Sequence, residues 1–191
     1  MRKYLLIILM VMAAGVARAQ TVGVKTNILY DATASANLGI EFGLANHWTL
    51  DLSGNYNGWA INDRKWKHWF VQPEGRYWFC SRFSGHFLAV NAIAGSYNIG
   101  NLHNNIKFLG TDFKSLTDYR YEGWGAGAGI AYGYAWILGK HWNLEAEIGV
   151  GWIYSRYDKF DCEICGKKVA SGESHNYFGP TKLALTLEYI F

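Results

Sequence analysis

From Trp142 to Tyr154 every second residue is apolar. Trp142, Leu144, Ala146, Ile148, Val150, Trp152 and Tyr154 share one face, and Asn143, Glu145 and Glu147 share the other. A two-residue period places alternate side chains on opposite sides of an extended strand. The pattern recurs at Trp48, Leu50, Leu52, Gly54 and Tyr56 against Thr49, Asp51, Ser53 and Asn55. It returns at Leu183, Leu185, Leu187, Tyr189 and Phe191 against Lys182, Ala184, Thr186 and Glu188. A water-soluble sandwich would turn the charged face to solvent and the apolar face to a second sheet. A membrane barrel inverts the two faces. Trp142 and Trp152 favour the inversion. Ten residues of strand tilted about 45° rise roughly 23 Å, close to the ~25 Å apolar band between aromatic girdles.

Eight such strands are predicted, at about 22–30, 37–45, 48–57, 68–79, 86–97, 122–137, 142–154 and 178–191. Three connections are short: Ala45-Asn46-His47, Cys80 to Gly85 and Leu138 to His141. The other four are Asp31 to Ala36, Gly58 to Lys67, Asn98 to Tyr121 and Ser155 to Tyr177, three of them long. Alternating short turns and long loops predict an all-β fold, an eight-stranded antiparallel up-and-down transmembrane β-barrel with the long loops outside. A faint repeat relates Ala45-Asn46-His47-Trp48-Thr49-Leu50-Asp51 to Gly139-Lys140-His141-Trp142-Asn143-Leu144-Glu145, with a weaker echo at Ser84-Gly85-His86-Phe87-Leu88. It reads as hairpin repetition, because a solenoid would need a regular period.

The N-terminus fits export. Met1-Arg2-Lys3 is basic, Tyr4 to Val16 is apolar, and Ala17-Arg18-Ala19 fits a small-x-small cleavage site. Residues 1–19 are expected to be a cleaved signal peptide and 20–191 the barrel domain, placed in the cell outer membrane. That leader carries Arg2, Lys3 and Arg18 and no acid, so the net charge of +3 falls to zero in the remainder. No basic stripe of the kind that tracks phosphates is present, which excludes nucleic acid. The 9 Trp and 13 Tyr suit a headgroup interface better than a soluble core.

The inferred interior face carries Lys25, Glu41, Asp51, Glu74, Arg76, Glu145, Glu147, Lys182 and Glu188. These read as a paired charge network, since an eight-stranded barrel is just wide enough for its side chains to fill it. Gly123, Gly125, Gly127, Gly129 and Gly133 line one face of the sixth strand. They are expected to make room for Arg76, Trp78 or Glu147. No helix follows them, as a dinucleotide fingerprint would require. Cys162 and Cys165 form a C-x-x-C-Gly turn. In an oxidising compartment a local disulfide, or plain thiols, competes with a zinc knuckle taking His175 as a third ligand, and with redox chemistry. Apart from that zinc, no cofactor is expected. His68, His103 and His175 with Ser96, Ser115 and Ser174 are loose candidates for a lipid-modifying enzyme, but no spacing ties them together. The reading preferred here is a non-enzymatic outer-membrane barrel. Its long loops would contact a surface protein partner or the cell envelope; a lipid-modifying enzyme and a narrow channel are the alternatives.

Four stretches carry a family resemblance. They are Val24-Lys25-Thr26-Asn27-Ile28-Leu29-Tyr30-Asp31, the run from Trp66 to Phe79, Tyr119-Arg120-Tyr121-Glu122-Gly123-Trp124, and Asn176-Tyr177-Phe178-Gly179-Pro180-Thr181-Lys182. Together they resemble the domain of unknown function 3575 family, a group of anaerobic Gram-negative bacteria often found near fimbrial genes. The resemblance implies a barrel fold, and through the fimbrial association a link to surface structures. It implies no catalytic residues. The closing Phe191 resembles the signal by which outer-membrane barrels are recognised by their assembly machinery.

Overall fold

The computed structural model describes residues 22–61, 64–100, 107–108, 111–112, 119–161 and 166–191. The leader predicted over 1–19 lies outside them. Eight antiparallel strands form one sheet that closes in a ring. In chain order they are β1 Val22–Asn27, β2 Ala36–Gly43, β3 Trp48–Asn57, β4 Arg64–Trp78, β5 Gly85–Gly100, β6 Arg120–Ile137, β7 Trp142–Phe160 and β8 Lys168–Ile190. Each pairs with its sequence neighbours, and β1 pairs with β8 to complete the ring, Lys25 opposite Glu188. Closure pairs β8 on both sides from Thr186 to Ile190, whereas Lys168 to Lys182 pair with β7 alone.

Two boundaries differ from the sequence pattern for physical reasons. Strand one stops at Asn27, whose side-chain oxygen accepts a 3.1 Å bond from the Leu29 amide and starts a one-turn helix, α1 (Ile28–Ala32). The stretch from Ser155 to Tyr177 is mostly strand: β7 runs on to Phe160 and β8 begins at Lys168, so a hairpin stands above the ring. Both prolines sit where the ladder is already irregular. Pro73 falls in the gap between the Val71–Ala94 and Glu74–Asn91 pairs. Pro180 precedes a bulge in which Thr181 is the extra residue between the Gly149–Lys182 and Val150–Pro180 pairs. That bulge switches the parity of β8, so Phe178 and Leu183 both face outward.

The ring is polar inside and apolar outside. Side chains buried within it include Lys25, Glu41, Asp51, Gln72, Glu74 and Arg76, whereas Leu38, Val90, Ile130, Ile148 and Leu183 are exposed. Aromatic rows cap this outer band at both ends. At the turn end Trp48 packs on Tyr77 and Trp142 on Tyr189, each with centroids 5.0 Å apart. Toward the loop end Tyr56 opposes Trp69, and Trp152 opposes Phe178.

The short repeat has a structural meaning. His47 and His141 each place Nδ1 on a carbonyl oxygen at the end of the next strand, Trp78 at 2.9 Å and Ile190 at 2.8 Å. The third echo departs from this, with His86 Nδ1 on the Tyr132 hydroxyl.

Candidate functional site

All nine charged residues read from the alternation converge inside the ring, and all are buried. Arg76 on β4 is the hub. Its Nε donates to Glu74 (2.7 Å), Nη1 to Glu41 (2.7 Å) and Glu145 (2.9 Å), and Nη2 to Glu147 (2.9 Å). Its guanidinium also lies 4.5 Å from the Phe87 ring centroid. Lys25 contacts Glu41 and lies 3.1 Å from Asp51. Lys182 reaches Glu74 at 2.5 Å and Glu147 at 3.1 Å. Ions this deep persist only when paired and hydrogen-bonded, which six strands achieve for these eight by aiming side chains at one point.

Beneath the network, at the turn end, an aromatic stack fills the ring. Trp78 packs on Phe87 at 4.6 Å and on Phe83 at 6.1 Å, and its indole donates to the Thr49 hydroxyl at 2.8 Å. Phe83 belongs to the turn between β4 and β5. A left-handed backbone (φ 63°) there accompanies its burial, and its carbonyl accepts from Asn143 at 2.6 Å. The glycines of β6 serve space differently from expectation. A Cβ on Gly133 would lie 2.3 Å from the Phe87 ring, and one on Gly129 would press on Thr181 and Asn91; Arg76, Trp78 and Glu147 are not what they accommodate.

Above the network the interior opens into a cavity of about 370 Å³, lined by His68, Phe70, Tyr97, Ile153, His175 and Tyr177 among others. Ser155 donates to the backbone carbonyl of His175 at 3.3 Å. His175 stands on β8 opposite Ser155, in the ladder and not in the connecting loop. Cys162 and Cys165 lie outside the described residues. Phe191 is exposed, and its amide bonds the Val22 carbonyl at 2.9 Å across the ring closure.

The sequence profile of a protein family of unknown function, DUF3575, matches residues 4–191. The chain belongs to the DUF3575 family. No curated protein and no solved structure matches it significantly. In this DUF3575 chain the sequence pattern placed Trp78 inside but missed its two aromatic partners. Phe87 sits on the interior parity and could have been assigned to it, but Phe83 lies in a turn, where alternation says nothing.

The β7–β8 hairpin carries a latch of its own. The Asp158 carboxylate accepts from Lys168 (2.7 Å), the Gly172 amide (2.8 Å) and Ser171 (3.0 Å). The Lys168 bond, followed by those from Gly172 and Ser171, holds its pKa down at about 2. A depressed carboxylate stabilises the fold above its ordinary range and loses that contribution as pH falls through about 2. The latch is therefore expected to be intact at neutral pH and to open only below about 4, the ordinary Asp range. The hydrogen-exchange protection factor of the Gly172 amide at pH 7 should fall in Asp158→Asn; equal protection in both proteins would dismiss the latch.

Proposed function

We propose that this ring is a transmembrane β-barrel of the outer membrane that catalyses no reaction and holds its loop end out to a partner at the cell surface. One observation carries the reading: the outside is apolar and the inside ionic, the reverse of a soluble sheet protein. Exposed Ile130, Ile148 and Leu183 would cost solubility in water but suit hydrocarbon, and the two aromatic rows match girdles at the headgroups. The hairpin over Ser155 to Tyr177, and the connection over Asn98 to Tyr121, are the surfaces offered to a surface protein or the envelope. A rigid scaffold bearing variable loops is a common basis for recognition. The fimbrial association of the family makes a surface-appendage subunit the natural partner. The same argument makes residues 1–19 a leader removed on export and Phe191 part of the signal read by the assembly machinery.

The test is topological. An epitope placed after Gly172 should be labelled on intact cells, and a photo-crosslinking residue at Asn176 should capture a defined envelope component. Labelling only after lysis would overturn the orientation. Deleting Phe191 should lower the yield of heat-modifiable protein in the outer membrane.

The network and the aromatic plug weigh against a channel. Purified protein in a planar bilayer should give no reproducible conductance steps, because Arg76 with its four acids and the Trp78–Phe83–Phe87 stack cross the whole bore. Stable unitary steps would refute the sealed interior.

A further inference from the structure

The interior charges do not balance. Six carboxylates, Glu41, Asp51, Glu74, Glu145, Glu147 and Glu188, share the bore with three cations, Lys25, Arg76 and Lys182. The surplus is concentrated at the end nearer the turns. Glu41 and Glu145 each give Oε2 to Lys25 and Arg76. Each keeps Oε1 without a hydrogen-bond partner among the described residues. Glu188 gives neither oxygen to anything: Oε1 and Oε2 are both unpartnered, at 0% exposure. This carboxylate is aimed into the cluster. One oxygen from each of Glu41, Glu145 and Glu188 lies within 4.8 Å of the other two.

We infer that Glu41, Glu145 and Glu188 form a binding site for a hard divalent cation, calcium or magnesium. Three arguments converge on this chemistry. The donors are all carboxylate oxygens, which suit hard ions and not thiophilic ones. Two oxygens on opposite sides of a calcium ion, at about 2.3–2.6 Å each, stand roughly 4.6–5.2 Å apart, which is the scale of this cluster. Six buried acids against three cations leave a surplus of three negative charges in the bore, of which a divalent ion beside the unpartnered Glu188 would offset two. A fully buried carboxylate with no donor is costly, and a metal ion supplies both the charge and the coordination.

The backbone is shaped to admit Glu188. A Cβ at Gly23 would lie 1.9 Å from Glu188 Oε1, so the absence of a side chain on β1 is what lets this carboxylate lie flat against the wall. Gly39, one strand further round, does the same for the stem of Lys25. The sequence therefore makes room on two neighbouring strands for one cation and one orphan anion.

The experiment uses the chain folded into detergent micelles free of lipopolysaccharide, which itself binds divalent ions. After chelation and desalting, calcium chloride and magnesium chloride are titrated in separate calorimetry runs, and bound metal is counted by elemental analysis. About one equivalent of one of the two ions per chain is expected, with at least tenfold weaker uptake in Glu188→Gln and little change in Glu122→Gln, whose side chain is half exposed away from the cluster. Heat-modifiable migration reports whether each variant is folded. Should Glu188→Gln fail to fold, Glu188→Asp, which keeps the charge but shortens the reach, must show the same weakening. No uptake by the wild type overturns the site, and so does uptake that persists unchanged in the Glu188 variant. An infrared carboxylic-acid band that disappears in Glu188→Gln would assign the balancing charge to a proton and overturn it equally. None of these results bears on surface labelling of the loops, so the site and the proposed function stand or fall separately.

Discussion

Replacing Arg76 by Met should cost about 3–5 kcal/mol, a large share of the roughly 5–15 kcal/mol that holds a domain folded. The loss is large because one guanidinium serves Glu41, Glu74, Glu145 and Glu147 at 2.7–2.9 Å. Taking it away strands four carboxylates in the bore with only Lys25 and Lys182 to share. The magnitude expresses uncompensated charge more than the strength of any one pair, since an apolar isostere of an entire ion cluster can be neutral. Arg76→Lys should fall between the two, because a single ammonium cannot reproduce a planar fork that bonds through Nε, Nη1 and Nη2 together. Urea unfolding in micelles, followed by tryptophan fluorescence and by heat-modifiable migration, measures the series. A Met variant as stable as the wild type would mean that the carboxylates are held by something other than Arg76.

Leu183→Arg should cost about 2–4 kcal/mol in a bilayer, the penalty for a cation near the middle of a lipid-facing strand. Leu183 pairs with Ile148, midway between the rows marked by Trp142 and Trp152, and it is 61% exposed. That exposure is what makes the substitution informative. In a water-soluble ring, an arginine on an open surface would change stability by no more than about 0.5 kcal/mol. The same change at Val169, exposed on the hairpin above the aromatic row, should be nearly silent in either setting. Equilibrium unfolding from lipid vesicles gives the numbers, and equal tolerance at the two positions would remove the membrane from the picture.

Alternation carried most of the architecture, and its failures have specific causes. Residues such as Glu145, Glu147, Asp51 and Arg76 could be assigned to one enclosed face because a strand leaves only two directions for a side chain. Which acid meets which base was not legible, since it depends on the stagger between strands far apart in sequence. The ends of the elements were lost to local chemistry: Asn27 capping its own chain into α1, and a hairpin that kept pairing beyond the outer aromatic row to Phe160. The bulge at Thr181 hid the parity of β8, with a proline beside it as the one visible sign. Phe83 gave no sign at all, because a turn residue with positive φ has no periodicity to betray it. The unpartnered oxygens of Glu188 likewise emerge only once neighbours are placed around them.

The closure of β1 on β8 has a kinetic consequence. Lys25 and Glu188 stand opposite each other 163 residues apart (188 − 25), whereas every other ring pairing joins neighbours along the chain. Seven of the eight ladders can zip locally, but the eighth must wait for the whole chain and then close its longest loop. Lys25 can meet Glu41 early, within its own hairpin, yet it can approach Glu145 only when the seam shuts. The last ladder to form is thus also the one that lets Lys25 reach Glu145, so closing the seam and completing the ion pairs of the bore are a single slow event.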